Sequence, residues 1–159
     1  MTLYMKQQIF SWSDKFTIKD ELGNDRYFVE GELFSWGHKL HVFDANNREV
    51  AFIKQELFVF LPKFDVYVNG SLAVSVKREL TFFTPKYTLE GTDWTVDGDF
   101  WQHRYEITGS AGGVASITKA LFTWGDSYEI EISADADELL VLATVLAIDC
   151  VIADQSRSS

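Results

Sequence analysis

The sequence predicts a mainly β fold, a barrel or sandwich of about twelve strands packed with one buried helix. Three observations predict it. A short apolar-aromatic pattern recurs along the chain, apolar residues alternate after each copy, and the last third holds a long segment apolar on every side. The pattern is clearest in Ile9-Phe10-Ser11-Trp12, Leu33-Phe34-Ser35-Trp36, Leu57-Phe58-Val59-Phe60 and Leu121-Phe122-Thr123-Trp124. Leu80-Thr81-Phe82-Phe83 follows it less closely, and Gly98-Asp99-Phe100-Trp101 only loosely. Repetition at such spacing marks a supersecondary unit used several times over.

After each copy a polar break leads to two apolar residues two apart: Phe16/Ile18, Leu40/Val42, Phe64/Val66, Tyr87/Leu89, Tyr105/Ile107 and Tyr128/Ile130. Phe64, Val66 and Val68 point one way while Asp65, Tyr67 and Asn69 point the other, the period of a strand with one buried face. The aromatic stretches themselves, Leu57 to Leu61 among them, are apolar on both faces. They read as the first arms of hairpins, with their Trp and Phe residues mostly in the core. Ser13-Asp14, Gly37-His38, Pro62-Lys63, Pro85-Lys86 and Gly125-Asp126 carry turn chemistry between the arms. Asn24, Asn69-Gly70 and Glu90-Gly91 punctuate the links between one hairpin and the next. Six hairpins supply about twelve strands.

The segment from Leu139 to Ala153 breaks the alternation. Asp135, Asp137 and Glu138 precede it, which suits the N-terminus of a helix. A helix apolar all round is buried in protein or in lipid. Fifteen helical residues span roughly 22 Å, short of about 30 Å of bilayer hydrocarbon. A seven-residue strand is roughly 23 Å long, so the helix matches a barrel interior. Asp149 would also be costly in lipid. The expected organisation is one domain over 1–154, with strands to 134, a central helix over 135–154 and a disordered tail over 155–159.

The chain of 159 residues is long enough for a sizeable core, and 47% hydrophobic residues argue against a disordered tether. The first residues lack a charged-then-apolar leader, so no signal peptide is expected. One cysteine, Cys150, excludes an internal disulfide and suits a reducing compartment. A cytoplasmic protein, peripheral at a membrane at most, is the expectation. Residues 1–89 hold eleven acids and eleven bases, while 90–159 hold thirteen acids and three bases, giving the net charge of −10. So acidic a chain is a poor nucleic-acid binder, because phosphate affinity needs clustered Lys and Arg.

The Ile53-Lys54-Gln55-Glu56-Leu57-Phe58 and Val76-Lys77-Arg78-Glu79-Leu80 strands, the Phe34-Ser-Trp-Gly37 and Phe122-Thr-Trp-Gly125 turns and the helix at 139–153 together resemble a known family. It is the LURP-one-related branch of the tubby C-terminal-like superfamily. The resemblance covers almost the whole chain and implies a closed barrel of twelve strands around a central hydrophobic helix. Its motifs are specific for fold and weak for function. Relatives include tubby proteins, which bind phosphoinositides, and phospholipid scramblases.

Alignment of the hairpins exposes a column of charge: Lys15, Lys39, Lys63, Lys86 and Arg104 each fall just before a returning strand. In up-and-down hairpins these five approach one rim, where the resemblance suggests an anionic headgroup. Charge is screened over about 8 Å, so local charge counts for more than the total. Lys is equally at home in solvated turns, and Asp14, Asp65 and Asp126 dilute the ring. A second column, Lys6, Lys54 and Lys77, is expected toward the opposite strand ends.

Other signals are thin. Asp93, Asp97 and Asp99 form an acidic loop without the spacing of an EF-hand, so no metal is expected. His38, His41 and His103 lack any nucleophile or metal motif around them. Asp149 beside the apolar seam requires a partner at the barrel mouth, in the backbone or in a Tyr hydroxyl. The reading is a non-enzymatic binding module, without cofactor, whose rim takes an anionic phospholipid or a protein partner. The alternatives are a protein-interaction domain with no small ligand and a scramblase-like membrane activity. Neither nucleic acid nor a transmembrane span is expected.

Overall fold

Twelve antiparallel strands follow one another round a closed wall, each paired with its neighbours in the chain, and β1 closes on β12. The computed structural model describes residues 1–5, 15–32, 36–122 and 125–157. The strands are β1 (Thr2–Met5), β2 (Lys15–Lys19), β3 (Asp25–Gly31), β4 (Lys39–Asp44), β5 (Glu49–Gln55) and β6 (Lys63–Val68). They continue with β7 (Ser71–Arg78), β8 (Tyr87–Glu90), β9 (Thr95–Asp99), β10 (Arg104–Gly109), β11 (Gly112–Phe122) and β12 (Gly125–Ile132). One helix, α1 (Glu138–Arg157), follows them.

Alternation decides what fills the lumen. Leu40 and Val42 of β4, Phe64 and Val66 of β6, Val74 and Val76 of β7, and Ile130 and Ile132 of β12 are buried. They pack around Val141, Leu142, Val145, Leu146 and Ile148 of α1, all essentially inaccessible. The helix is therefore the plug of the barrel, and its apolarity on every side is explained by a wall on every side. Asp137 caps it, its Oδ1 accepting from the Leu140 N–H at 3.1 Å. Thr144, deep in the core, donates its hydroxyl to the Leu140 carbonyl at 2.7 Å. Helical residues extend through Arg157, so 155–157 continue the helix that the sequence ended at 154.

The two ends of the barrel are built differently. Turns after β2, β4, β6, β8 and β10, together with the entry to α1, form one end, here the turn rim. They are tight, and the strands bulge just before four of them, at Ile18/Lys19, Val42/Phe43, Val66/Tyr67 and Ile107/Thr108. Asn69 and Gly70 have φ of 49° and 83°, the paired left-handed residues that a two-residue hairpin turn needs. Arg26 and Tyr27 fix the helix entry here. The Arg26 guanidinium donates to Glu138 at 2.5 and 3.1 Å, and the Tyr27 hydroxyl donates to it at 2.8 Å. Burial and the Glu138 charge push the Tyr27 hydroxyl up to about 12.

The links after β1, β3, β5, β7, β9 and β11 form the other end, the loop rim; those after β1, β3, β5 and β7 are the long ones, and here the expected first arms are corrected. Strand β5 ends at Gln55 and β7 at Arg78, so Leu57–Leu61 and Leu80–Phe83 are loops, not strands. Phe100 and Trp101 turn between β9 and β10, while Leu121 and Phe122 do end a strand, β11. The stretches at 9–12, 33–35 and 123–124 lie outside the described residues. The physical reason is that a stretch apolar on both faces has no period-two signal, and no wall or loop covers its second face. Phe58 adds a left-handed φ of 61°, incompatible with a strand.

Candidate functional site

The loop rim carries the side chains that the fold does not use. Trp36 (84% exposed), Phe58 (101%), Phe60 (91%), Phe82 (93%) and Phe83 (98%) stand in water, and Trp101 and Leu80 are also largely exposed. This corrects the expectation that the repeated aromatics are core. Of the repeated rings described, Phe100 alone is core; the other core rings, Phe64 and Tyr105 among them, come from inside the strands. A fully exposed Phe forgoes roughly 1.5–3 kcal/mol of burial, so several at one end form a patch that folding does not explain. The signal was present in the sequence: apolar runs without alternation, two of them followed by proline at Pro62 and Pro85.

The predicted cations lie at the same end. Lys15, Lys39, Lys63 and Arg104 are the first residues of β2, β4, β6 and β10, and Lys86 immediately precedes β8. The residue after each points into the wall, so the cations point outward from the lip. They occupy every second strand, roughly 10 Å apart at ordinary strand spacing, and so make a belt rather than a pocket. Some are paired: Lys15 with Glu30 at 2.9 Å, and Lys63 with Glu56 and Glu90 at 3.4 and 3.3 Å. Among the described residues Lys86 and Arg104 have no ion-pair partner. The second column is corrected. Lys39 sits opposite Lys54 and Lys63 opposite Lys77, so Lys54 and Lys77 widen this belt instead of lying at the far end. They end up here because the strands stop before the aromatic stretches. Lys6 lies outside the described residues.

The turn rim has the opposite charge. Asp20, Glu21, Asp25, Asp44, Glu49, Asp93, Asp135, Asp137 and Glu138 gather there, with Lys19, Arg26 and Arg48 against them. Several of the carboxylates complete turns. Asp20 accepts the Leu22 and Asn24 N–H groups at 2.9 Å each, and Asp44 those of Asn46 and Arg48 at 2.9 and 3.0 Å. These bonds hold both carboxyls below the ordinary carboxylate value. Asp93 is held by the Ser110 N–H and hydroxyl, Asp99 accepts the Gln102 N–H at 3.1 Å, and Asp97 pairs across the sheet with Glu106. The three aspartates do not converge. Among the described residues no His, Cys, Asp and Glu group could hold a metal ion.

The three histidines are dispersed, each beside its own carboxylate. His38 approaches Asp154 of α1 at 3.9 Å, and His103 approaches Asp149 at 3.5 Å. His41 faces outward, with Nδ1 2.6 Å from Glu49 and Nε2 2.9 Å from Glu32. Carboxylates only accept, so the ring donates from both nitrogens and carries its charge. Burial opposes that charge, the two carboxylate bonds outweigh it, and the imidazole pKa is raised. His41 and Glu49 edge a wall groove of about 430 Å³ with Phe52 and Tyr67. An imidazole held charged between two carboxylates is a clasp across strands and a poor general base.

Asp149 is buried with α1, as its place in the apolar seam implied. Its Oδ2, the Tyr105 hydroxyl and the Ser127 hydroxyl are buried without a hydrogen-bond partner among the described residues. Burial raises the Tyr105 hydroxyl well above its ordinary value, and the Asp149 charge adds to it. Cys150 behaves alike, buried and raised, a small hydrophobe and not a reactive thiol. No helix among the described residues is long and apolar enough to cross a membrane.

The comparisons with other proteins agree with this architecture. Residues 1–149 match the model of the LURP-one-related family. The Bacillus subtilis (strain 168) protein YxjI is 32% identical over 157 residues, covering 99% of this chain and 97% of YxjI. An Arabidopsis thaliana protein solved by X-ray shares the fold with a TM-score of 0.65 at 19% identity, over 98% of this chain and 91% of that one. A twelve-stranded wall closed round a terminal helix, with a family match along nearly its whole length, settles the kinship: the chain belongs to the LURP-one-related family.

Proposed function

We propose that this protein is a non-enzymatic binding module that docks onto an extended anionic surface through its loop rim. One observation carries the reading. Cations stand at the start of five of the six strands that begin at one lip, interspersed there with Glu30, Glu32, Glu56 and Glu79, while at the other end carboxylates far outnumber cations. A belt with roughly 10 Å between members cannot close on a single small anion, but it can lie against many anionic groups at once. The separation of charge also orients the molecule, because an anionic surface attracts one rim and repels the other. This is how a chain of net charge −10 can approach such a surface, since screening over about 8 Å hides the far end.

Chemistry of the wall supports binding over catalysis. The wall groove beside His41 is lined by His41, Glu49, Val50, Ala51, Phe52, Tyr67 and Gly70, without a serine, threonine or cysteine, and a second wall groove holds Thr108, Ser116 and Ser133 with no histidine in its lining. Pelleting with phosphatidylserine vesicles tests the reading. Wild type pellets at low salt, and the bound fraction falls as salt rises. Lys39→Glu with Lys86→Glu and Arg104→Glu abolishes pelleting, whereas Asp20→Asn with Asp44→Asn does not reduce it. Wild type left in the supernatant at low salt contradicts the reading.

A further inference from the structure

The geometry points to the lipid bilayer itself as the surface, entered by the aromatic loop tips while the cation belt stays at the phosphates. This deepens the docking reading above and rests on it. Phe58, Phe60, Phe82 and Phe83 stand almost wholly in water on two loops, with Trp36 and Trp101 on two others. These tips lie on four different links of one rim, and the cations of that rim stand beside them. A fluid apolar medium can receive such tips one at a time, without complementary pockets. Behind the tips the cations point outward from the lip, so apolar, aromatic and basic groups succeed one another away from the end of the barrel. That is the order in which an interfacial protein meets acyl chains, glycerol region and phosphate.

The backbone supports the same role. Phe58 holds a left-handed φ of 61°, which is costly for a bulky residue and here aims its ring into solvent. Strain kept at a fully exposed apolar tip benefits no contact within the chain. The wall excludes deeper insertion. Lys54, Asp65, Lys77, Glu106, Glu129 and Glu131 decorate its outside, so these strands cannot lie against hydrocarbon. Contact stops at the tips.

Phe58→Ala with Phe60→Ala, Phe82→Ala and Phe83→Ala tests this, since none of the four rings touches the core and the variant should melt as wild type does. Vesicles of phosphatidylcholine and phosphatidylserine are prepared with and without bromine on the acyl chains. Wild type binds and its tryptophan emission is quenched by the brominated chains. The tip variant binds at least about tenfold more weakly, the smallest loss expected from withdrawing several buried rings. Wild-type binding that survives the tip changes, without quenching, overturns insertion and leaves surface docking intact. An absence of wild-type binding overturns both readings. A dimer formed without vesicles and dissolved by the tip changes overturns the bilayer as occupant in favour of a second copy.

Discussion

The two rims are made by the same strands and yet follow opposite rules. At the turn rim each residue has a local task. Asn69 and Gly70 take the left-handed conformations of a tight turn, Asp20 and Asp44 fold back on backbone N–H groups, and Glu138 ties α1 to β3. At the loop rim four of the six links are longer, Trp36, Phe58, Phe60, Phe82 and Phe83 face water, and Phe58 is strained. One end is organised for stability. The other carries exposed rings and a strained residue that the fold does not use.

The plug joins both ends and sets the largest effect. Leu142→Asp or Leu146→Asp places an unpaired charge inside an apolar barrel, at a cost of about 5 kcal/mol or more. Neither variant should fold, and circular dichroism of a native-like, soluble variant would contradict burial of the helix. Next comes a glycine of the turn rim. Gly91 has φ +93°, and a Cβ there would lie 2.8 Å from the Ala73 carbonyl oxygen. Gly91→Ala should cost roughly 2–4 kcal/mol in urea unfolding, through both strain and clash. Phe58→Asn at the loop rim should do the reverse. Asn accepts the left-handed φ, so the melting midpoint should hold or rise by up to about 3 °C. A clear fall would show that the Phe58 ring is needed by the fold and would blur the contrast.

The smallest effect is a pH dependence midway along the wall. The raised His41 value means that its clasp contributes stability fully below the free histidine value of 6.5, and loses it as pH rises through the higher folded value. Glu32, lowered by the same bond, contributes above its free value of 4.5 and loses it as pH falls through the lower folded value. The clasp is therefore whole between those two free values. With His41 partly exposed, its share is under about 1 kcal/mol. Urea midpoints should fall between pH 6 and pH 8 in wild type, and by less in His41→Asn.

Much of this was legible in the residues. Alternation in Phe64–Val68 and Tyr128–Ile132 gave the returning strands, and the length of the apolar segment against a strand placed it in the lumen. The cation column also fell on one lip, where Gly37, Pro62 and Pro85 stand just before three of the five strand starts. The aromatic stretches were misread for a physical reason. Hydrophobicity implies burial only when something exists to cover it; the lack of alternation and the prolines at 62 and 85 mark 57–61 and 80–83 as loops, without saying what covers them. Once those stretches became loops, Lys54 and Lys77 moved from one end of the barrel to the other. Contacts between the wall and α1, His103 with Asp149 and Gln55 with Asp154 at 3.5 Å each, have no local signature at all.

Leu22 at the turn rim is, like Phe83 at the loop rim, an exposed apolar residue, which makes the two a matched pair. With the native Cys150 buried, Phe83→Cys and Leu22→Cys can each be labelled with an environment-sensitive fluorophore and mixed with phosphatidylserine vesicles. Docking through the loop rim predicts a blue shift at position 83 and none at position 22. A shift at 22 alone, at both positions, or at neither would contradict docking through the loop rim.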